Sequence, residues 1–297
     1  MYKLVAQPLL WLSMLALTSF AATDPSTQSS TSPISYRRVI KTDPPLRMHV
    51  VTVDLTSPDV ELRVERGGPD PDGDGPWKTT LATVRDIATR EHLAVAVNGN
   101  FFQSKDAREL FGRRNPYYPG NWARPVGWAM TDGDAWGTID GGECSVVVYD
   151  DQRRVTIGKY KPNLPDGARH VVSGAEMVLT DGQVTGTAPD VAPRACIGID
   201  RDGKRLTLLA CDGRRADWSV GLTGAQLGQV MLELGCWRAL NLDGGGSATM
   251  VMRDATSETG EAKLVNRPSD GHDLPISMSF ERSVAVAFGV RLRERAK

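Results

Sequence analysis

Ala239-Leu240-Asn241-Leu242-Asp243-Gly244-Gly245-Gly246-Ser247-Ala248-Thr249-Met250-Val251-Met252 is the stretch on which the fold of this chain turns. Two apolar runs, residues 239–242 and 248–252, flank three consecutive glycines. Two strands are therefore expected, with a carboxylate at the tip of the first. Glycine tolerates positive φ and lets other groups approach the backbone closely. Successive N–H groups in such a turn form an anion-binding concavity, and Ser247 and Thr249 add hydroxyls. The alternative reading is a flexible hairpin turn, although three glycines exceed what a hairpin needs. A nucleotide P-loop is excluded because no Gly-Lys-Ser/Thr follows. A nucleophile elbow is excluded because no glycine stands two residues after Ser247.

Outward from this segment, short strands dominate. Residues 48–54 and 60–65 alternate or run apolar, and 93–97 end in Asn98-Gly99-Asn100-Phe101-Phe102. Further strands are expected at 126–131, 145–149, 154–157, 170–173, 177–180 and 283–290, with turns at Asp132-Gly133, Asp151-Gln152 and Asp181-Gly182. Residues 195–199 and 206–211 flank Arg201-Asp202-Gly203-Lys204 and predict a hairpin. One helix is expected within 80–91, where Leu81, Val84, Ile87 and Ala88 fall at helical spacing. Thr223 caps a second, which runs through Leu234 with Leu227, Val230 and Met231 on one face and ends at Gly235. The expectation is one strand-rich α+β domain with a mixed or antiparallel sheet and two principal helices.

Composition bounds the function. Among 297 residues, 35 Lys and Arg oppose 36 Asp and Glu, for a net charge of −1. Such balance lacks the basic field that nucleic-acid binding needs. Apolar runs are too few and too interrupted for a polytopic membrane protein. Lys3, the apolar stretch 8–20 and Ser19-Phe20-Ala21 together make a secretory signal over residues 1–21. Residues 22–35, rich in Ser, Thr and Pro, read as a linker, leaving 36–297 as the folded domain. The mature protein is expected to be periplasmic or extracellular, with no stable membrane insertion. Cys144, Cys196, Cys211 and Cys236 form no CxxC pair, which argues against zinc. Export permits disulfides. Cys196 and Cys211, nearly symmetric about the predicted hairpin turn, are either bridged or two small buried thiols.

Polar chemistry concentrates at strand ends. Arg194 precedes the hairpin and Asp212-Gly213-Arg214-Arg215 follows it, so Arg194 and Arg214 meet opposite its turn. There they form either a bidentate phosphate clamp or a surface salt-bridge cluster with Asp212. Asn266-Arg267-Pro268-Ser269-Asp270-Gly271 and then Glu281-Arg282 add further guanidinium, carboxylate and hydroxyl groups.

These blocks, with Asn98-Gly99-Asn100-Phe101-Phe102, Gly221-Leu222-Thr223 and Ser283-Val284-Ala285, resemble the phosphodiester glycosidase family in residue type and order. The resemblance spans roughly residues 81–290. It implies an exported glycosidase that splits a sugar 1-phosphodiester into free sugar and a phosphomonoester, with cell-envelope or capsular glycopolymers among the implied substrates. The chemistry agrees with the residues. The leaving phosphate is already an anion of low basicity, so it needs stabilised charge more than a proton. Arg194, Arg214, Arg267 and Arg282 are candidates for that task. Gly244, Gly245, Gly246, Ser247, Thr249, Asn266 and Ser269 are candidates for binding the phosphate or the sugar. A carboxylate must then attack the anomeric carbon or activate water there. Asp243 is the first choice, and Asp212, Asp270 and Glu281 are further candidates.

Asn98 and Asn100 are candidates for sugar hydroxyls, and Trp122, Trp128 and Trp136 either stack on a sugar or pack against the protein. Asp70-Pro71-Asp72-Gly73-Asp74-Gly75 departs from the family pattern. It has the alternation of a calcium loop, but Leu81 occupies the position of the bidentate Glu. Asp70, Asp72 and Asp74 are thus a marginal structural calcium site, and no other cofactor is expected. His49, His92, His170 and His272 show no ligand spacing, and His272 alone sits near the site segments. Two other readings remain: a non-catalytic module that binds anionic polysaccharide, and a metal-dependent phosphodiesterase.

Overall fold

The computed structural model describes residues 32–110, 112–137, 141, 144–149, 153–254, 260–271 and 279–293. The expected signal, most of the linker, the Asp151-Gln152 turn and His272 lie outside the described residues. The fold is strand-rich α+β, as expected. Every strand pair among the described residues is antiparallel.

A seven-stranded sheet runs Ile34–Thr42, Pro45–Asp54, Arg205–Cys211, Arg194–Ile199, Arg238–Asn241, Glu176–Thr180, Gln183–Val184. A five-stranded sheet runs Ala262–Leu264, Met250–Arg253, Val95–Asn98, Val286–Leu292, Val60–Arg66, and another runs Asp134–Ala135, Ala129–Thr131, Ala168–Gly174, Cys144–Tyr149, Val155–Lys159. Strands present alternate residues to opposite faces, and one face of each sheet feeds a shared core. Ile197, Leu208 and Leu240 meet Val97, Met250 and Phe288, together with Val146, Ile157 and Val172. Ala239, one residue from Leu240, turns the other way and packs under Leu227 and Met231.

That second cluster places the Gly224–Glu233 helix, whose Thr223 and Gln226 form a reciprocal capping box. Gly235 ends it at φ +81, as expected of a glycine past a helix C-terminus. The other helix covers Val84–Arg90, capped by Thr83. It is shorter than its apolar spacing implies because Thr79–Thr80 and Ala82–Thr83 are drawn into strand pairs with Trp122–Pro125 and Ser283–Val284.

One finding departs from the sequence pattern, and another decides between two open readings. Ile34–Thr42 is a strand, yet most of it is exposed and its arginines obey no apolar alternation. Edge strands carry such charges because they lack a partner on one side. None of the four cysteines forms a disulfide, and all are buried. Cys196 faces Leu209 across the hairpin, and Cys211 faces Arg194. Two register steps separate the thiols, and a disulfide needs Cβ atoms close together.

A partly buried ionic network links the two five-stranded sheets. Arg63 forms a fork to Asp132 at 2.9 and 2.8 Å and bonds Glu65 at 2.7 Å. The buried ring of His170 stands beside Asp132, 3.7 Å from its Oδ1. Burial first, and then the Arg63 charge, push His170 down to about 4. The unfolded chain therefore binds a proton below about 6.5 that the folded ring refuses. Stability falls as pH drops from about 6.5 towards 4, by about 3 kcal/mol in all. Urea titrations across that range check this: a His170→Gln protein shows a visibly flatter slope.

Candidate functional site

The triglycine segment joins two sheets and is not a hairpin turn. Arg238–Asn241 belongs to the seven-stranded sheet, whereas Met250–Arg253 belongs to the sheet of Val95–Asn98. Between them lie Leu242, Asp243, Gly244 and one 3-10 turn over Gly245–Ser247. Asn98 pins this crossing. Its Nδ2 donates to Asp243 O at 2.6 Å, and its Oδ1 accepts Thr249 N at 3.1 Å. Asp243 N donates to Gly99 O at 3.1 Å.

The glycines serve the side chains above them. A Cβ on Gly245, where φ is +60, would stand 2.8 Å from Arg214 Nη2, and one on Gly246 would collide with Asp270 and Arg282. Gly244 adjoins the Arg194 side chain. Guanidinium groups therefore lie against bare backbone. The expected ring of open amides is only partly present, since Gly245 N is spent on Pro193 O and Ser247 N on Gly244 O.

Asp243 is 9% exposed. Burial pushes its carboxyl up to about 6, opposed by the Ser247 hydroxyl, the Arg282 charge and the Gly244 N–H, while the Asp270 charge adds to the rise. Arg282 and Asp270 form a two-pronged pair, both contacts 2.8 Å, and Arg282 Nη1 reaches Ser247 Oγ at 3.5 Å. The bridge between Asp270 and Phe280 closes the loop that brings them together. Arg194 is buried and donates to the carbonyls of Leu222, at 2.9 Å, and Asp190. Burial is the main influence lowering its pKa. Arg214 is exposed, has φ +62, and has no carboxylate partner among the described residues. Arg267 likewise has none and lies 5.5 Å from the Trp218 ring centroid.

Several expected site residues do other work. Asp212 is not a free carboxylate. It accepts Arg267 N at 2.8 Å, Trp218 Nε1 at 2.8 Å and Asn266 Nδ2 at 3.2 Å. Asn266 in turn accepts Met250 N at 2.7 Å and donates to Ala248 O at 3.0 Å, holding the far side of the glycine crossing. Glu281 faces away from Asp243 and accepts Arg85 N at 2.9 Å at the start of the Val84–Arg90 helix, where burial raises its pKa. Its neighbour Arg282 points into the site, as alternation along an extended chain dictates. Asn100 is spent on Val126 O, Trp128 O and Ser173 N. Thr249 and Ser269 are buried.

The tryptophans of residues 116–142 pack against the protein. Trp136 stacks under Arg66, Trp122 under Lys105, and Trp128 donates to Tyr160 O. Two aromatic rings of the site escaped sequence reasoning: Trp218, beside Asp212, and Tyr117, whose ring lies 3.8 Å from the Arg282 guanidinium carbon. The placement of Trp218 four residues after Arg214 was the available signal. In the acidic loop, Asp70 Oδ1 accepts Asp72 N and Gly73 N, and Asp72 Oδ2 accepts Trp77 N. No three His, Cys, Asp or Glu side chains gather as metal ligands among the described residues.

The family model for phosphodiester glycosidases matches residues 91–291, more than half of the sequence. The chain belongs to the phosphodiester glycosidase family. The catalytic domain of zebrafish N-acetylglucosamine-1-phosphodiester alpha-N-acetylglucosaminidase, auto-inhibited by its pro-peptide, is 21% identical with a TM-score of 0.61, covering 92% of this chain and 88% of that one. A Synechocystis protein is 15% identical with a TM-score of 0.61, covering 88% of this chain and 62% of its own. A Burkholderia pseudomallei protein named as exported is 15% identical with a TM-score of 0.56, covering 83% and 74%. These likenesses establish the fold they share with this member of the family. No curated protein sequence matches it significantly. No helix among the described residues is long and apolar enough to cross a membrane.

The Asp212 contacts generate a stability test. Asp212→Ala removes the acceptor of three hydrogen bonds, one of them from the buried Asn266. Unfolding free energy in urea is expected to fall by about 3 kcal/mol. A loss under about 1 kcal/mol means that Asp212 does not hold this turn.

Proposed function

We propose that the chain is an exported glycosidase that hydrolyses a sugar 1-phosphodiester by C–O cleavage, releasing free sugar and a phosphomonoester. The observation that carries this reading is the buried Asp243 carboxyl, raised to about 6, on a glycine crossing overlaid by arginines. Family membership supports the reaction class.

In this reading the phosphate lies against Arg214, whose guanidinium has no competing carboxylate among the described residues, with the Arg194 charge behind it. As the anomeric C–O bond breaks, its electron pair passes to the phosphate oxygen, and these cations stabilise the charge that grows there. Asp243 supplies the carboxylate at the anomeric carbon, as nucleophile or as the base that takes a proton from water. Asp270 is less suited because both of its oxygens are tied to Arg282. The pair instead orients Ser247 and keeps a positive charge near Asp243. This reading calls for no metal. The phosphodiesterase alternative lacks a ligand cluster among the described residues.

Hydrolysis in oxygen-18 water tests the bond cleaved: label is expected in the sugar, and label in the phosphate overturns the glycosidase reading. Asp243→Asn is expected to lower kcat by about a thousandfold while ligand still binds. That separates an enzyme from a binding module.

The pH dependence has a definite sign. Asp243 must be ionised, so kcat/KM rises with pH through about 6 and is flat above it. Ser247→Ala removes an interaction that favours the carboxylate, and its limb is expected at higher pH.

A further inference from the structure

A cavity of about 640 Å³ lies away from Asp243. It is an open groove between the Val155–Lys159 strand and Glu176–Thr180, floored by Ile157, Gly158 and Met177. Its volume falls within the range of about 300–1,000 Å³ occupied by small-molecule sites.

The hydrogen bonds of the wall fix what it can accept. Thr185 donates to Met177 O at 3.0 Å, so Thr180 is the donor in the 3.1 Å contact between the two hydroxyls. Thr187 Oγ1 donates to Glu176 at 2.8 Å. Each of these hydroxyls has spent its one proton and offers lone pairs to a ligand. Lys159 is exposed, lines the groove and has no carboxylate partner among the described residues, so its ammonium donates. Arg238 is paired with Asp181 at 2.7 Å, and the Glu176 carboxylate offsets Lys159 in charge. A row of acceptors, one mobile donor, an apolar floor and balanced charge suit a neutral polyhydroxylated ring with an apolar face. They do not suit a strong anion.

The groove is joined to the catalytic crossing. Lys159 pairs with Cys144, and Cys144 pairs with Gly174, two strand spacings or about 10 Å across. Ala175 N, next in the chain, donates to Asn241 O at 2.8 Å. Asn241 lies two residues before Asp243.

We propose that this groove binds a neutral saccharide chain, the part of the substrate remote from the bond that Asp243 attacks. The assignment rests on the glycosidase reading above, and its test does not use turnover. Thr185 gives the variant: its exposed side chain lines the groove and supplies one of the accepting hydroxyls, and valine keeps its shape without that oxygen.

The Asp243→Asn protein is applied to an array of neutral and acidic oligosaccharides of two to six units, beside an Asp243→Asn/Thr185→Val protein. Thermal melting verifies that both are folded. Retention of neutral oligosaccharides, weakened at least tenfold by Thr185→Val, is the expected result. Retention of none, equal retention by both folded proteins, or preference for acidic glycans overturns the proposal. Should Thr185→Val fail to fold, Thr187→Val serves as the second variant under the same criteria. Failure of the glycosidase reading shows separately, as absence of sugar phosphodiester turnover by the unsubstituted protein.

Discussion

Three missing Cβ atoms govern this site. Because Gly245 and Gly246 carry none, the side chains of Arg214 and Arg282 come down onto the backbone beside Asp243, and the bare Gly244 leaves room for the Pro193 carbonyl. Charges brought that close to a buried carboxyl matter more than the same charges in water, since low polarisability strengthens every interaction. Burial drives Asp243 towards the neutral form while Arg282 and Ser247 pull it towards the ionised one, and the balance falls near neutral pH. A side chain on Gly246 would collide with the Asp270–Arg282 pair and disturb that balance.

The four carboxylates near this region divide by how their oxygens are used. Asp212 gives its oxygens to Trp218, Asn266 and the Arg267 backbone, Asp270 gives both to Arg282, and Glu281 turns to a helix start. Each of those three acts as a tether. Asp243 is buried with weaker compensation, and its carboxyl is raised to about 6. In the proposed reading, the reactivity of Asp243 follows from burial that its hydrogen bonds and the Arg282 charge offset only in part.

Much of the fold is legible in the sequence because burial is periodic. The hairpin of Arg194–Ile199 and Arg205–Cys211 and the helix capped by Thr223 follow from apolar spacing and cap chemistry. The Ile34–Thr42 strand is not legible, since an edge strand with a solvated face carries no period. In the site, Asp243 and the arginines are legible from local motifs. The roles of Asn98, Asn100 and Asp212 are not. A side chain that holds a loop and one that holds a ligand use the same residue types, and partners such as Asp243 O lie 145 positions away.

The same limit explains Trp218 and Tyr117. An aromatic ring beside a guanidinium gains from both packing and the cation–π attraction, and neither leaves a mark in local sequence. Arg47 lies 4.6 Å and Arg267 5.5 Å from the Trp218 ring, while Trp218 Nε1 donates to Asp212. One indole therefore joins a structural carboxylate to an arginine of the site. Tyr117 does the equivalent for Arg282 from the other side. Stacking of this kind holds Arg267 without a carboxylate partner among the described residues, which in the proposed reading leaves its charge available for an anion.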